Sequence, residues 1–339
     1  MNPLQEAIKK AVQGQDLSEH EMRLALGQIM DGKATDAQIG AFLTSLRMKG
    51  ETIDEIAGAV AEMRDRALRM TIDAPVILDT CGTGGDGSGT FNISTACAFV
   101  CAASGVIVAK HGNRAVSSSV GSADVLEALG VRIDLGVEGV ERCIDEVGIG
   151  FLFAPAHHSA LRHAAKARRE IGFRSVLNLL GPMTNPAGAT HQLIGVFSKD
   201  RIEVVARVLL RLGTQRAMVV HGADGLDELT LSGPTHAAIL SEGKVRTETI
   251  ESMDFGFPRV QASELKGGSA DVNARMIRDL LSGKQGPPQD IVILNAGAAL
   301  WVAERADNLA DGVDLARELI RSGQARERLE ALIAASNKD

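Results

Sequence analysis

From residue 75 onward, short apolar runs alternate with segments of helical spacing, and this alternation narrows the choice of folds more than any other feature. The apolar runs predict strands at 76–79, 106–109, 131–134, 151–153, 193–197, 216–220 and 291–294, with a hairpin over 235–250. The helical patterns lie at 94–104, 122–129, 137–147, 199–212, 272–283, 295–306 and 312–334. Strands that alternate with helices form a mostly parallel sheet flanked by helices. The predicted fold class is therefore α/β.

The first 70 residues differ, because they contain helical patterns only. Four short helices are predicted there, and Ser18, Thr35 and Thr52 are typical residues for the start of three of them. A chain of 339 residues is long enough for two domains. We predict a helical domain over 1–72, whose residues show no chemistry of their own, followed by a larger α/β domain.

Composition and charge argue against several classes of protein. The net charge of −7 argues against a nucleic-acid-binding protein, for which a basic domain is expected. The sequence has no apolar run of membrane-spanning length and no signal-peptide pattern at its start, so we expect a cytoplasmic protein that does not bind membranes. The four cysteines form no Cys-x-x-Cys pair, so a zinc site is not expected.

A glycine-rich segment follows the first predicted strand and precedes a predicted helix. Five glycines lie within 82–89, and Asn92 or Ser94 can cap the helix that follows. Glycine backbone can approach an anion closely, and a helix N-terminus attracts phosphate. The segment matches neither the nucleoside-triphosphate loop nor the dinucleotide fingerprint. It predicts a phosphate site, although a wide turn at a sheet edge is the simpler alternative.

Two further loops also follow predicted strands. Residues 110–122 contain Lys110, Arg114 and four serines but no acidic residue, a composition that suits a ligand with several phosphate groups. Asp227 and Glu228 follow the strand 216–220. Adjacent carboxylates at a strand end suit Mg²⁺, which bridges protein oxygens to phosphates, but the same residues could form a solvated turn. All three loops are predicted at strand C-terminal ends, where open α/β sheets bind ligands.

The amino-acid sequences of these loops resemble the motifs of one enzyme family. DTCGTGGDGSGTFNIST at 79–95 and KHGNRAVSSSVGSADVLEALG at 110–130 are similar to the paired motifs of the anthranilate phosphoribosyltransferases. Those enzymes join anthranilate to phosphoribosyl pyrophosphate (PRPP) in tryptophan biosynthesis, with release of pyrophosphate. The resemblance implies a homodimer and a discontinuous helical domain, completed by about 160–190. The α/β domain would then comprise 73–159 and 191–339.

The resemblance also implies ligand contacts for individual residues. Two Mg²⁺ ions are expected, with Ser94, Asp227 and Glu228 as protein ligands. The residues that match PRPP-binding positions are Gly82, Gly85, Asp86, Thr90, Asn92, Ile93, Ser94, Thr95, Lys110, His111, Gly112, Asn113, Arg114, Ala115, Val116, Ser117, Ser118 and Ser122.

The anthranilate site is expected at Gly82, Asn113, His158 and Arg168. Arg168 would receive the carboxylate of anthranilate, but the adjacent Arg169 is an alternative that the sequence leaves open, as His157 is for His158. Ser159, Ala167 and Ser175 replace the proline, valine and threonine usual in the family.

The implied reaction is displacement of pyrophosphate from the ribose by the anthranilate amine. An aromatic amine is unprotonated at neutral pH, so no general acid or base is assigned. Two alternatives remain from the sequence alone: an enzyme like the pyrimidine nucleoside phosphorylases, and a non-catalytic relative that binds nucleic acid.

Overall fold

The computed structural model describes residues 2–115 and 120–338. It begins with the helices α1 (Pro3–Val12), α2 (Glu19–Met30), α3 (Asp36–Lys49) and α4 (Ile53–Arg66). Each helix starts at a capping box, in which the N-cap side chain accepts from a first-turn N–H and the third helical residue bonds back. The four predicted helices are confirmed, and we call them the N-terminal bundle.

A seven-stranded sheet follows the N-terminal bundle. Its strand order is β3-β2-β1-β4-β5-β6-β7. The first five strands are parallel, and β6 and β7 form an antiparallel hairpin at the edge. The mostly parallel sheet and the hairpin are therefore confirmed. The strands are β1 (Ile77–Asp79), β2 (Ile107–Gly112), β3 (Ile149–Phe153), β4 (His191–Gly195), β5 (Arg216–Gly222), β6 (Pro234–Ser241) and β7 (Lys244–Glu251).

Helices cover both faces of the sheet, as neighbouring residues on β5 show. Met218 belongs to an apolar cluster with α5 and α12–α15, and Val219 belongs to another with the N-terminal bundle and α11. These helices are α5 (Ile93–Ala103), α6 (Ser122–Ala128), α7 (Val137–Val147), α8 (Ala154–His157), α9 (Ala165–Ile171), α10 (Leu177–Met183), α11 (Ile202–Arg211), α12 (Ala270–Leu281), α13 (Pro287–Val302), α14 (Leu309–Arg321) and α15 (Gln324–Ser336).

Two predicted strands are wrong. Residues 131–134 form irregular chain between α6 and α7, although Val131 and Ile133 are buried, so burial there comes without strand pairing. Residues 291–294 lie inside α13, whose apolar residues are buried on every side of the helix. A short apolar run cannot distinguish a buried strand from a buried helix. Pro287 occupies the first helical position of α13.

The predicted helix over 312–334 is two helices in the structure. Gly323 lies between α14 and α15 with φ 84°, a left-handed conformation that interrupts the helix. Upstream, Ala164, Ala167 and Leu177 share a buried apolar cluster with the N-terminal bundle. This packing agrees with a helical domain completed by residues after 160, and the domain boundaries themselves stay a prediction. Within the described residues, no helix has the length and apolarity needed to span a membrane.

The crossing of α13 and α14 depends on two facing glycines. A Cβ atom added at Gly297 would lie 2.6 Å from the backbone nitrogen of Val313, and Gly312 faces the Gly297 carbonyl just as closely. We therefore expect Gly297→Ala to lower the free energy of unfolding by about 2 kcal/mol or more, through forced separation of the helices. Urea denaturation measures this change.

Gly136→Ala is the matched control. Gly136 has φ −69° and nothing within 4 Å of an added Cβ, so this variant should lose less than about 1 kcal/mol. Equal stabilities of the two variants would show that the contact between Gly297 and Gly312 does not determine the distance between α13 and α14.

Candidate active site

The three predicted loops meet at one edge of the sheet. The glycine-rich segment leaves β1, Lys110 and His111 lie near the end of β2, and the acidic loop leaves β5. Because these strands are parallel, their carboxyl ends lie together. The sheet therefore brings the predicted phosphate and metal residues into one site.

The glycine-rich segment lies directly against β4 and the acidic loop. Gly84 and Gly85 have φ 64° and 74°, which L side chains rarely adopt. The Thr83 backbone N–H donates to the Gly195 carbonyl at 2.8 Å. A Cβ on Gly82 would lie 3.1 Å from the Gly195 carbonyl oxygen and 3.2 Å from Asp227 Oδ2. Glycine at these positions lets the backbone approach the carboxylates closely.

Asp86 and Asp227 face each other across this contact. Gly84 N–H donates to Asp227 Oδ2 at 2.8 Å, and Asp227 N–H points to Asp86 Oδ2 at 3.4 Å. Burial and, after it, the negative charge of Asp86 raise the pKa of Asp227 to about 7. The two carboxylates repel each other, so a cation bound between them would be stabilised.

Glu228, Ser94 and Lys110 adjoin this pair at the start of α5. Burial and the charge of Asp227 raise the pKa of Glu228 well above its ordinary value, and Lys110 and the Ser94 N–H oppose that rise. Lys110 Nζ lies 3.4 Å from Ser94 Oγ and 3.3 Å from the Thr80 carbonyl, and Lys110 is only 3% exposed. Carboxylate and hydroxyl oxygens are hard ligands, so the donor set fits Mg²⁺.

Asn295 holds the acidic loop in place, and sequence reasoning missed it. This buried residue of α13 accepts from the Leu229 N–H at 2.8 Å and donates to the Leu229 carbonyl at 2.9 Å. Leu229 directly follows Glu228, so the bonds fix the backbone beside the metal-site residues. The signal was an asparagine within an apolar stretch, because a buried amide needs partners.

His111 and His158 form a pair of buried, neutral rings, which we call the histidine wall, and the His111 backbone N–H donates to Asp79 Oδ1 at 3.2 Å. His111 Nδ1 lies 3.1 Å from the Gly181 carbonyl and must donate, so its Nε2 carries a lone pair. That Nε2, and both ring nitrogens of His158, have no hydrogen-bond partner of good geometry among the described residues, although the Thr184 backbone lies beside His158. The ring centroids are 5.3 Å apart. Burial lowers the pKa of His111 to about 3 and that of His158 to about 4.

His157 has a structural role instead. Its Nδ1 lies 2.9 Å from the Leu68 carbonyl, and its own carbonyl accepts from the Leu68 N–H at 3.1 Å. These bonds tie the chain after α4 to the loop before α9. The geometry therefore favours His158, with its unpartnered ring, as the ligand-facing residue.

Burial also distinguishes the two candidate arginines. Arg168 is half-buried and pairs with no carboxylate of the described residues, whereas Arg169 is exposed. Burial lowers the pKa of Arg168. An arginine held without an anion in a partly buried position is suited to bind one.

Arg114 does have acidic partners, unlike the unpaired cation expected from the loop composition. Its guanidinium lies 3.0 Å from Asp124 Oδ1 and 2.9 Å from Glu127 Oε1, and 5.8 Å from the Phe153 ring. Both acids belong to the following helix α6, just outside the loop. Its contact with PRPP stays a prediction and would require an exchange of ion-pair partners.

The remaining predicted contacts fall into four groups. Asn92 is the N-cap residue of α5 but makes no capping bond; instead it bonds the Val120 carbonyl at 3.2 Å and accepts from Asn273. Ile93 and Thr95 are buried, so an outside ligand would meet their backbone rather than their side chains. Thr90, Gly112, Asn113, Ala115 and Ser122 lie around the two loops. Val116, Ser117 and Ser118 lie outside the described residues.

The chain matches two family models that together cover most of its length. Residues 74–326 match the α/β domain of a glycosyl transferase family, and residues 5–67 match the helical bundle domain of a glycosyl transferase family. Among curated proteins, the anthranilate phosphoribosyltransferases of Thioalkalivibrio sulfidiphilus and Moorella thermoacetica are 54% and 55% identical to it over 331 residues. Each alignment covers 98% of both chains.

Solved structures lead to the same family. The anthranilate phosphoribosyltransferase of Thermus thermophilus is 43% identical, with a TM-score of 0.92 over 98% of this chain and 99% of that one. The Saccharomyces cerevisiae enzyme in complex with PRPP and Mg is 28% identical, with a TM-score of 0.90 over 98% of this chain and 97% of that one. The chain therefore belongs to the anthranilate phosphoribosyltransferase family.

Proposed function

We propose that this protein transfers the 5-phosphoribosyl group of PRPP to the amine of anthranilate, with release of pyrophosphate. The observation that carries the proposal is the meeting of the Gly82–Gly85 backbone, the acids Asp86, Asp227 and Glu228, and Lys110 at one sheet edge. The match to curated family members over nearly the whole chain supports it.

Mg²⁺ binding is part of the proposal. Ser94, Asp227 and Glu228 would hold two ions, with Asp86 beside them. The relative solved with PRPP and Mg supports the use of Mg²⁺. When bound, the ions would neutralise charge on the pyrophosphate leaving group. Buried carboxylates that repel one another would gain the partner that they lack in the protein alone.

PRPP would be bound by cationic and backbone groups. Lys110 is buried at the end of β2 and would place a fixed ammonium beside the phosphates. The glycine backbone and the uncapped first turn of α5 would offer N–H groups, as helix N-termini do for phosphate. Holding the ribose in line with the incoming amine would remove much of the entropic barrier.

Anthranilate would occupy the side of the site lined by Gly82, Asn113, His158 and Arg168. The Arg168 guanidinium would pair with the carboxylate of the substrate. His111 was assigned to PRPP from the sequence, but its buried Nε2 lone pair is also suited to accept from an aromatic amine. Neutral imidazoles do not protonate the amine, and the amine needs no base to attack.

The proposal includes a cytoplasmic homodimer that binds neither nucleic acid nor membranes. Val12 on α1 and Met48 on α3 are 70% and 83% exposed, and such apolar residues are suited to contact a second copy. Light scattering gives the oligomeric state directly.

The test of the reaction is the loss of anthranilate fluorescence on addition of PRPP and Mg²⁺, abolished by a chelator. Release of pyrophosphate in equal amount identifies the transfer. Turnover of pyrimidine nucleosides with phosphate, or salt-dependent binding of single-stranded DNA without any transferase activity, would replace the proposal with one of the alternatives.

Asp227 and Glu228 should matter for turnover and not for folding. We expect the double variant Asp227→Asn, Glu228→Gln to lose roughly a hundredfold or more in kcat/KM at limiting Mg²⁺. Its melting temperature should stay the same or rise, because two repelling carboxylates are removed. Undiminished activity at limiting Mg²⁺ would contradict the metal assignment.

Asn295→Ala should weaken the activation of the enzyme by Mg²⁺, although Asn295 is not itself a predicted metal ligand. The buried N–H and carbonyl of Leu229 lose their partners, so the acidic loop is freed, and the Mg²⁺ concentration for half-maximal activity should rise about tenfold. Gln289→Ala is the matched control, since Gln289 lies on the same helix and donates to the Leu280 carbonyl away from the loop. A similar Mg²⁺ response in both variants would indicate general destabilisation only.

Arg168 should determine the affinity for anthranilate. Loss of a charged hydrogen bond in Arg168→Ala should raise the anthranilate KM about 10- to 100-fold, equivalent to roughly 1.5 to 3 kcal/mol. The KM for PRPP should change little. Arg169→Ala serves as the control, and if it reproduced this pattern while Arg168→Ala did not, Arg169 would be the substrate ligand.

A further inference from the structure

The C-terminal turn of α10 is buried, and each of its last three carbonyls receives a side-chain donor. His111 Nδ1 and Thr184 Oγ1 donate to the Gly181 carbonyl at 3.1 and 2.9 Å. Gln192 Nε2 donates to the Pro182 carbonyl at 2.7 Å, and Arg64 Nε donates to the Met183 carbonyl at 2.8 Å. A helix end buried from water needs such donors, because its last carbonyls have no partner within the helix.

The donors come from different parts of the molecule. His111 and Gln192 extend from β2 and β4 of the sheet, and Thr184 belongs to the turn itself. Arg64 extends from α4, so it is the donor that the N-terminal bundle contributes among the described residues. The bundle thereby contacts, through a charged hydrogen bond, the turn that holds His111.

The position of Arg64 is not explained by an ion pair of the kind that surface arginines form. Within residues 2–115 and 120–338, no carboxylate lies within salt-bridge distance of its guanidinium, whereas Arg66 on the same helix pairs with Asp31 and Glu62. Burial, and the nearby charge of Arg69, lower the pKa of Arg64. A cation kept partly buried beside another cation is costly unless its hydrogen bond has a role.

The turn at 181–184 determines the shape of the histidine wall. Gly181 fixes the position of the His111 ring and the nitrogen that carries its proton, and Thr184 lies beside His158. A shift of the Met183 carbonyl would also move Gly181 and Thr184, because Met183 and Thr184 are fully buried and tightly packed.

We propose that Arg64 is a positioning residue for anthranilate binding, through which the N-terminal bundle fixes the α10 turn and the imidazoles that it supports. The inference rests on the proposed function for its substrate. It gives the bundle a role in the site, which the sequence alone did not indicate. Arg64 contacts no substrate in this proposal and acts through the turn.

The test compares Arg64→Met, Arg64→Lys and the control Arg66→Met in the full-length protein. Arg64→Met should raise the anthranilate KM about tenfold, as expected for loss of a charged hydrogen bond. The PRPP KM should change by about twofold at most, because among the described residues the turn at 181–184 makes no hydrogen bond to Lys110, Ser94 or the acidic loop, although it does hold His111. Arg64→Lys keeps a cationic donor and should recover most of the loss, and Arg66→Met should leave both KM values unchanged.

A readout independent of turnover separates this inference from the proposed function. The side-chain ¹⁵N signals of His111 report which ring nitrogen carries the proton. They should show Nδ1–H in the wild type and Arg66→Met, and a mixture of tautomers in Arg64→Met. Wild-type protein without transferase activity would overturn the proposed function, and the His111 signals would still test the link from Arg64.

Three results would overturn the inference. The first is an unchanged anthranilate KM in Arg64→Met, and the second is a parallel rise of both KM values with a lowered melting temperature. The third is an unchanged His111 tautomer in Arg64→Met. If Arg64→Met does not fold, Arg64→Lys decides the question, because a wild-type KM and tautomer support the donor role and a uniform loss of both substrates contradicts it.

Discussion

Four carboxylates, those of Asp79, Asp86, Asp227 and Glu228, belong to the C-terminal edge of the sheet, which also holds the buried ammonium group of Lys110. Burial raises the pKa of Asp79 to about 6 and that of Asp227 to about 7, and it raises the pKa of Glu228 well above its ordinary value, while Lys110 acts in the opposite direction on Asp79 and Glu228. Asp86 is the fourth acid. Such a concentration of like charge opposes folding, so the surrounding structure must hold these groups together.

The scaffold does so through neutral contacts. Asn185 donates to Asp79 at 2.7 Å, Asn295 holds the chain after Glu228, and the glycine backbone donates to Asp227. None of these partners carries a charge that would satisfy the acids permanently. The proposed site therefore keeps carboxylates that a cation would stabilise, and packing of α5 and α13 behind the loops supports this arrangement.

The side of the site formed by the two histidines contains neutral groups instead of charged ones. His111 and His158 are buried without charge, and burial lowers both pKa values far below neutrality. The chain thus keeps neutral imidazoles apart from the acidic groups of Asp86, Asp227 and Glu228, and in the proposed complex they would adjoin the aromatic ring. Arg168 is half-buried, and in the proposed complex its charge would be available to the substrate carboxylate.

The features that were predicted correctly from the sequence are those that local residue patterns determine. The glycine-rich segment after β1, the acids after β5 and the capped helices of the N-terminal bundle depend on neighbouring residues, and all were found where expected. Asn295 and Arg64 were missed because their partners, Leu229 and Met183, are 66 and 119 residues away in the chain. Burial separates Arg168 from Arg169, and a helix of mixed polarity does not reveal it, so the role of Arg168 stays a prediction. The strand predicted at 291–294 failed because an apolar run gives no period when every side of a helix is covered.

The hydrogen bond from His111 to the Gly181 carbonyl has a consequence for ligand selection. A carbonyl cannot donate, so the ring is locked with its lone pair on Nε2, and that nitrogen can only accept. In the proposed complex, a benzoate whose ortho group offers an N–H would complete this contact. A benzoate of the same size whose ortho group has only lone pairs would meet another lone pair and leave both unsatisfied. The pocket would then discriminate between nearly isosteric aromatic acids by the direction of one hydrogen bond, with no need for a difference in size or charge.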